Sequence, residues 1–278
     1  MQLVPLTAPD GATSSARYFD ASGKAVAAVV VLPAMGVNAR SYDAFAAALA
    51  ERGVAVLVAE HRAGETSSVR PRRGVDFGYA ELLSEWPALF AALRERTPHV
   101  PISLLGHSMG GQLAVAALNR WHTPGARLVL VASGTVHHRA WKGVEAFAVL
   151  SGTWLAARLA TTLGYFPGHR LGFGGKQGRG LITDWARASR TGVFRATDGS
   201  LEVGLEHAQP RVLAVHVTGD TYAPREATTH LLAKLPGARV HWTELPPPPT
   251  PHRLNPHFRW LRAPMPFAER VAQFLAEP

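Results

Sequence analysis

The sequence predicts an α/β protein with a mostly parallel sheet covered by helices on both faces and interrupted by an inserted helical segment. Three observations carry this expectation. Short valine-rich apolar runs alternate with helix-period segments through the first half of the chain. The alternation resumes after residue 210, and the stretch between is far longer than a loop, since most connections run about 4–6 residues. At 278 residues the chain can bury a large core, with 47% hydrophobic and 18% charged residues.

The elements follow in order. Ser15–Phe19 and Val26–Leu32 read as strands. Arg40–Arg52 reads as a helix, because Tyr42, Phe45, Ala46 and Leu49 recur at three- and four-residue spacing and Gly53 follows as a stop signal. Val54–Ala59 is a buried-strand run, Glu60–Val75 a loop, and Phe77–Arg96 a helix that Pro87 kinks or breaks. Ile102–Leu105 is a strand, Gly111–Arg120 a helix and Arg127–Ala132 a strand. Beyond the insertion come the strand Val212–Val217, the helix Pro224–Leu235, the strand Ala238–Leu245 and a closing helix, Pro266–Ala276. We divide the chain into a core, 1–134 with 210–278, and an inserted cap or lid, 135–209, of two or three helices. The cap's glycine cluster, Gly172 to Gly180, is expected to be mobile.

Composition removes several classes of function. There is no cysteine, so disulfides, thiol catalysis and cysteine-held metals are excluded. The formal charge is +9, and all but four of the 29 Lys and Arg residues are arginine. The arginines are scattered and interleave with no aromatic run, which speaks against a nucleic-acid groove. The first residues lack a charged segment followed by an apolar run. The longest membrane candidate is the twelve-residue stretch between Glu145 and Arg158, too short to span a bilayer. The expectation is a cytoplasmic protein without stable membrane insertion, metal or organic cofactor, acting on a small acyl substrate.

The chemistry concentrates at Gly106-His107-Ser108-Met109-Gly110. A bare G-x-S-x-G is weak evidence, but here it follows an apolar strand and leads into a helix, the setting of a nucleophile elbow in an α/β-hydrolase fold. A serine on a sharp turn needs glycine neighbours, and the helix beginning at Met109 offers free N–H groups to a developing oxyanion. A second oxyanion donor belongs on the loop Leu32-Pro33-Ala34-Met35-Gly36. Pro33 has no N–H and Ala34 lies close to the strand end, so Met35 pairs with Met109. In this fold the acid and the base follow the serine in that order. Asp220 sits in the turn after Val212–Val217. His230 falls in a helix and His241 in a strand, which leaves His257 and His252, with His257 nearer the last helix. Trp154, Tyr165, Phe166 and Trp185 in the cap are the candidate walls of an apolar acyl or alcohol pocket.

The segments VLPAMGVNARSYDAFAAALAERGVAVLVAEHRAGETS, LLGHSMGGQLA, ITDWARASR, HVTGDTYAP and HFRWLRAP resemble a bacterial branch of α/β-hydrolases over almost the whole chain. The resemblance implies Ser108 as nucleophile, Asp220 as acid and His257 as base. It departs at Pro33-Ala34, where many relatives in the wider superfamily carry His-Gly, and at Pro256, where the branch often has glycine, so His252 stays open. The activity expected is serine-dependent hydrolysis of a carboxylic ester or thioester. An acyltransferase on the same residues is the alternative, followed by a ligand-binding protein that has lost catalysis.

Overall fold

Runs such as Ala27–Leu32 and Val54–Val58 are buried along their whole length, as strands covered on both faces must be. The computed structural model describes residues 1–121, 125–249 and 254–277. Its main sheet has eight strands: β1 (Gln2–Thr7), β2 (Thr13–Phe19), β3 (Ala27–Leu32), β4 (Val54–Val58), β5 (Ile102–His107), β6 (Arg127–Val131), β7 (Arg211–Val217) and β8 (Arg239–Leu245). Their spatial order is β1-β2-β4-β3-β5-β6-β7-β8. β3 through β8 are parallel, while the β1–β2 hairpin joins antiparallel at one edge.

Alternation along the strands divides the core in two. Val29 and Val31 point to the face covered by the helices Asp43–Ala50 and Met265–Ala276. Ala28, Val30 and Leu32 point to the other face, under Trp86–Arg96, Met109–Ala116 and Arg225–Leu232. The parallel strands therefore end on one common side, where ligands bind in open α/β sheets. β5 and β7 deliver Ser108 and Asp220 to that side.

Several boundaries differ from the sequence expectation. The Phe77–Arg96 helix is two, Tyr79–Ser84 and Trp86–Arg96, with Pro87 in the first turn of the second, where its missing N–H is harmless. Arg40–Arg52 is a 3₁₀ turn, Ala39–Tyr42, followed by the α-helix Asp43–Ala50. β1 was not anticipated. It is a mostly exposed edge strand containing Pro5, a residue edges tolerate.

The segment between β6 and β7 carries two long helices, Gly143–Leu163 and Arg179–Thr191, packed on each other. The twelve-residue apolar stretch is only the middle of the first. That helix has 21 residues and by length and composition alone is sufficient to cross a membrane, so the length argument against insertion does not hold. The glycine cluster is also more structured than expected. Lys176–Gly178 pairs antiparallel with Tyr165–Pro167, and a Cβ on Gly36 would meet the Gly174 carbonyl carbon at 2.4 Å. The glycines there permit close approach to the loop after β3.

Candidate active site

β5 is buried throughout and ends at His107, and Ser108 follows in a conformation few side chains adopt, φ 55° and ψ −119°. Two glycines make the turn possible. A Cβ on Gly106 would lie 2.2 Å from the Gly111 nitrogen, and one on Gly110 would lie 2.2 Å from the Leu32 carbonyl oxygen. The Ser108 N–H donates to the Val131 carbonyl at 3.2 Å, tying the turn to β6. The helix starts at Met109, as the elbow requires, and ends at Ala116, with a separate short helix, Leu118–Trp121, following it.

Asp220 lies in the turn after β7 and is buried. Its Oδ1 accepts the N–H groups of Tyr222 and Ala223 at 2.8 and 3.0 Å, and its Oδ2 lies 2.7 Å from His257 Nδ1. A carboxylate accepts only, so Nδ1 carries the proton and Nε2 is left as an acceptor. His257 sits in the short helix Pro256–Arg259 rather than in a loop. Asn255 caps that helix, accepting the His257 N–H at 2.9 Å, and its Nδ2 donates to Thr221 Oγ1 at 2.9 Å. The acid loop and the histidine helix are thus cross-tied. His252 lies outside the described residues.

Ser108, Met109, Met35 and His257 all line one cavity of about 480 Å³. Ala34 lines it too, but its N–H is taken by Tyr42 Oη at 2.9 Å. Phe166 and Trp185 contribute to the wall, whereas Trp154 and Tyr165 do not. Trp154 is half exposed beneath the Arg158 guanidinium, and Tyr165 lies under the Lys176 ammonium. Both therefore depart from the expectation that they bound the pocket. Helix rotation decides the matter: Trp154 projects toward the groove beside Arg187 and Arg190, while Ala156 and Leu159 turn inward and the exposed Leu155 stands at the cavity's mouth. Sequence reasoning did not single out Trp141, Phe173, Tyr222 or Phe258, which also line the cavity. Two of these fall in the Tyr-Ala-Pro and His-Phe segments beside Asp220 and His257.

A second buried chain of hydrogen bonds was also missed. The His107 Nε2–H donates to the His257 carbonyl at 2.9 Å, and its Nδ1 accepts from Tyr42 Oη at 2.7 Å. The carbonyl cannot donate, which fixes the tautomer. Burial and the neighbouring His257 hold the His107 pKa well below the usual imidazole range, so the ring is neutral. Through Tyr42 and His107 the chain links Ala34 after β3, the elbow and the histidine helix. Only the presence of histidine next to Ser108 in a fully buried strand hinted at it.

The fold and this arrangement define an α/β-hydrolase. Residues 23–186 match the family described as serine aminopeptidase, S33, and the chain belongs to that family. Solved structures extend the likeness to the whole chain. A hydrolase from Pseudomonas aeruginosa PA01 is 21% identical with a TM-score of 0.61, covering 99% of both chains. An esterase from Exiguobacterium antarcticum is 17% identical with a TM-score of 0.65, covering 99% of this chain and 100% of its own. A bromoperoxidase from Bacillus anthracis is 19% identical with a TM-score of 0.64 and the same coverage. No curated protein matches the chain.

Proposed function

We propose that this protein hydrolyses a carboxylic ester or thioester of an apolar acid through an acyl-Ser108 intermediate. The observation that carries the reading is a strained serine facing the same cavity as a histidine whose far nitrogen is held by a buried carboxylate. Ser108 Oγ attacks the acyl carbonyl while His257 Nε2 takes its proton. The proton then passes to the leaving alcohol or thiol, and His257 next activates water to release the acid. Asp220 keeps the imidazole in the productive tautomer and stabilises the imidazolium. The N–H groups of Met35 and Met109 receive the oxyanion. Residues 135–209 act as a cap over this site.

The cavity's chemistry supports a neutral substrate. Among the described residues no Asp, Glu, Lys or Arg lines it. A peptide's free ammonium terminus would lose its hydration there and find no carboxylate partner. This favours an ester over the peptides suggested by the family's description.

A panel of p-nitrophenyl esters of increasing chain length, with fluorophosphonate labelling, tests the reading. Turnover and labelling that both vanish in Ser108→Ala are expected. An unlabelled, inactive parent would favour a ligand-binding role. Ester products formed only when an alcohol is added would favour an acyltransferase.

A further inference from the structure

The helix Gly143–Leu163 carries only two charges, Glu145 and Arg158. A helix that packs by one face ordinarily turns a polar face to water. This one turns Val144, Phe147, Leu155 and Trp154 outward, 84, 71, 58 and 50% exposed. Their spacing places them on one stripe with Arg158. Leu171, 59% exposed, follows the helix, and it and Leu155 also line the cavity. The outer apolar patch and the mouth of the cavity are therefore continuous.

We propose that this face docks on an anionic lipid surface, and that the cavity draws a neutral ester directly from it. The delivery step rests on the hydrolase reading above; the docking does not. Charge selects the occupant. Residues 136–175 hold Arg139, Lys142, Arg158 and Arg170 against the single acid Glu145, in a chain of net charge +9. Cations beside an exposed apolar stripe match a negatively charged lipid surface. A second copy would bring the same cations face to face. Arg158 lies 5.2 Å from the Trp154 ring centroid, so the guanidinium and indole lie together at the edge of the stripe. The helix lies on the surface rather than through it, because its inner side packs on Arg179–Thr191 and walls the cavity. An acyl chain could then pass from bilayer to Ser108 without crossing water.

Flotation with phosphatidylcholine vesicles, with and without phosphatidylglycerol, tests the docking. The Ser108→Ala chain is used so that binding is read without turnover. It should float with the anionic vesicles and be released by salt. Val144→Gln with Phe147→Gln should weaken binding about tenfold or more. Arg139→Glu with Lys142→Glu should abolish the preference for the anionic lipid. In the catalytically intact chain, Val144→Gln with Phe147→Gln should leave hydrolysis of a water-soluble short ester unchanged, while turnover of an acylglycerol held in anionic vesicles falls with binding. Melting scans confirm that each variant is folded. Equal binding by parent and apolar double variant would overturn the proposal. So would a lack of vesicle binding, or a dimer without vesicle binding that the same substitutions disperse. A Ser108→Ala chain that floats beside a parent that cleaves no ester would uphold docking and sink the hydrolase reading.

Discussion

The two walls of the cavity are built by different means. On the sheet side every element is held by backbone geometry and buried hydrogen bonds: the strained Ser108, the doubly anchored Asp220, and the Tyr42–His107 chain. On the inserted side the wall is apolar side chains on two packed helices, and its outer surface is apolar as well. Reactivity tolerates displacements of well under an ångström, and the groups proposed to carry it lie where the fold is over-determined. Selectivity needs shape, which packing can supply and substitution can retune.

The contrast breaks most sharply if the sheet wall is altered. Ser108→Ala and His257→Ala should each lower kcat about 10³-fold or more with folding intact, because triad members act as a unit. Either variant retaining about a tenth of the parent rate would remove its residue from the nucleophile or base role. Next, Tyr42→Phe removes the partner of His107 Nδ1 and Ala34 N–H while keeping the ring. We expect kcat to fall about tenfold with KM little changed, together with about 1–3 kcal/mol of lost stability. A variant with raised KM and unchanged kcat would make the chain a packing feature only.

On the inserted wall, Phe166→Ala and Trp185→Ala should shift kcat/KM ratios between short and long esters by about tenfold, the scale of one or two methylenes. Trp154→Ala and Tyr165→Ala should leave those ratios flat. An ester panel reads both pairs, and equal behaviour of the two would contradict the helix rotation described here.

The smallest effect lies where the walls meet. His137, at the start of the insertion, has its Nδ1 3.2 Å from Nε2 of His230 on the core helix Arg225–Leu232. Burial, with His230 adding to it, lowers the His137 pKa to about 4 from 6.5. The unfolded chain therefore binds more protons between those values, and stability should drop as pH falls from about 6.5 to about 4. Melting temperatures across that range should slope less in His137→Asn. An unchanged slope would assign it to other groups.

The turn at Ser108 was legible in the sequence because its geometry is local. It needs Gly106 and Gly110 beside Ser108, and Asp220 and His257, the proposed acid and base, are picked out by chain order; Asp220 stands in the turn after β7 and His257 in a short helix beyond β8. The insertion was legible only as a length. Which of its aromatics face the cavity depends on rotation about an axis set by packing on Arg179–Thr191, and Trp154 and Leu155, adjacent in sequence, part ways there. β1 escaped because Pro5 interrupts its short apolar run, Leu3 to Leu6, and argues against a strand. The Tyr42–His107 chain joins residues 65 positions apart, and no local pattern announces it.

The backbone at Ser108 has a consequence for how such a protein changes under selection. A non-glycine residue held near φ 55° and ψ −119° carries about 1–3 kcal/mol of conformational strain, which glycine would relieve. Ser108→Gly should therefore melt some degrees higher than the parent, since about 1 kcal/mol corresponds to about 2–4 °C for a chain near this size. Ser108→Ala keeps the Cβ and should not. A library screened for heat resistance alone would drift toward a sturdier protein without the serine proposed as nucleophile. Any thermostabilisation of this chain needs a turnover assay alongside it, because under the proposed mechanism endurance and reactivity compete for a single residue.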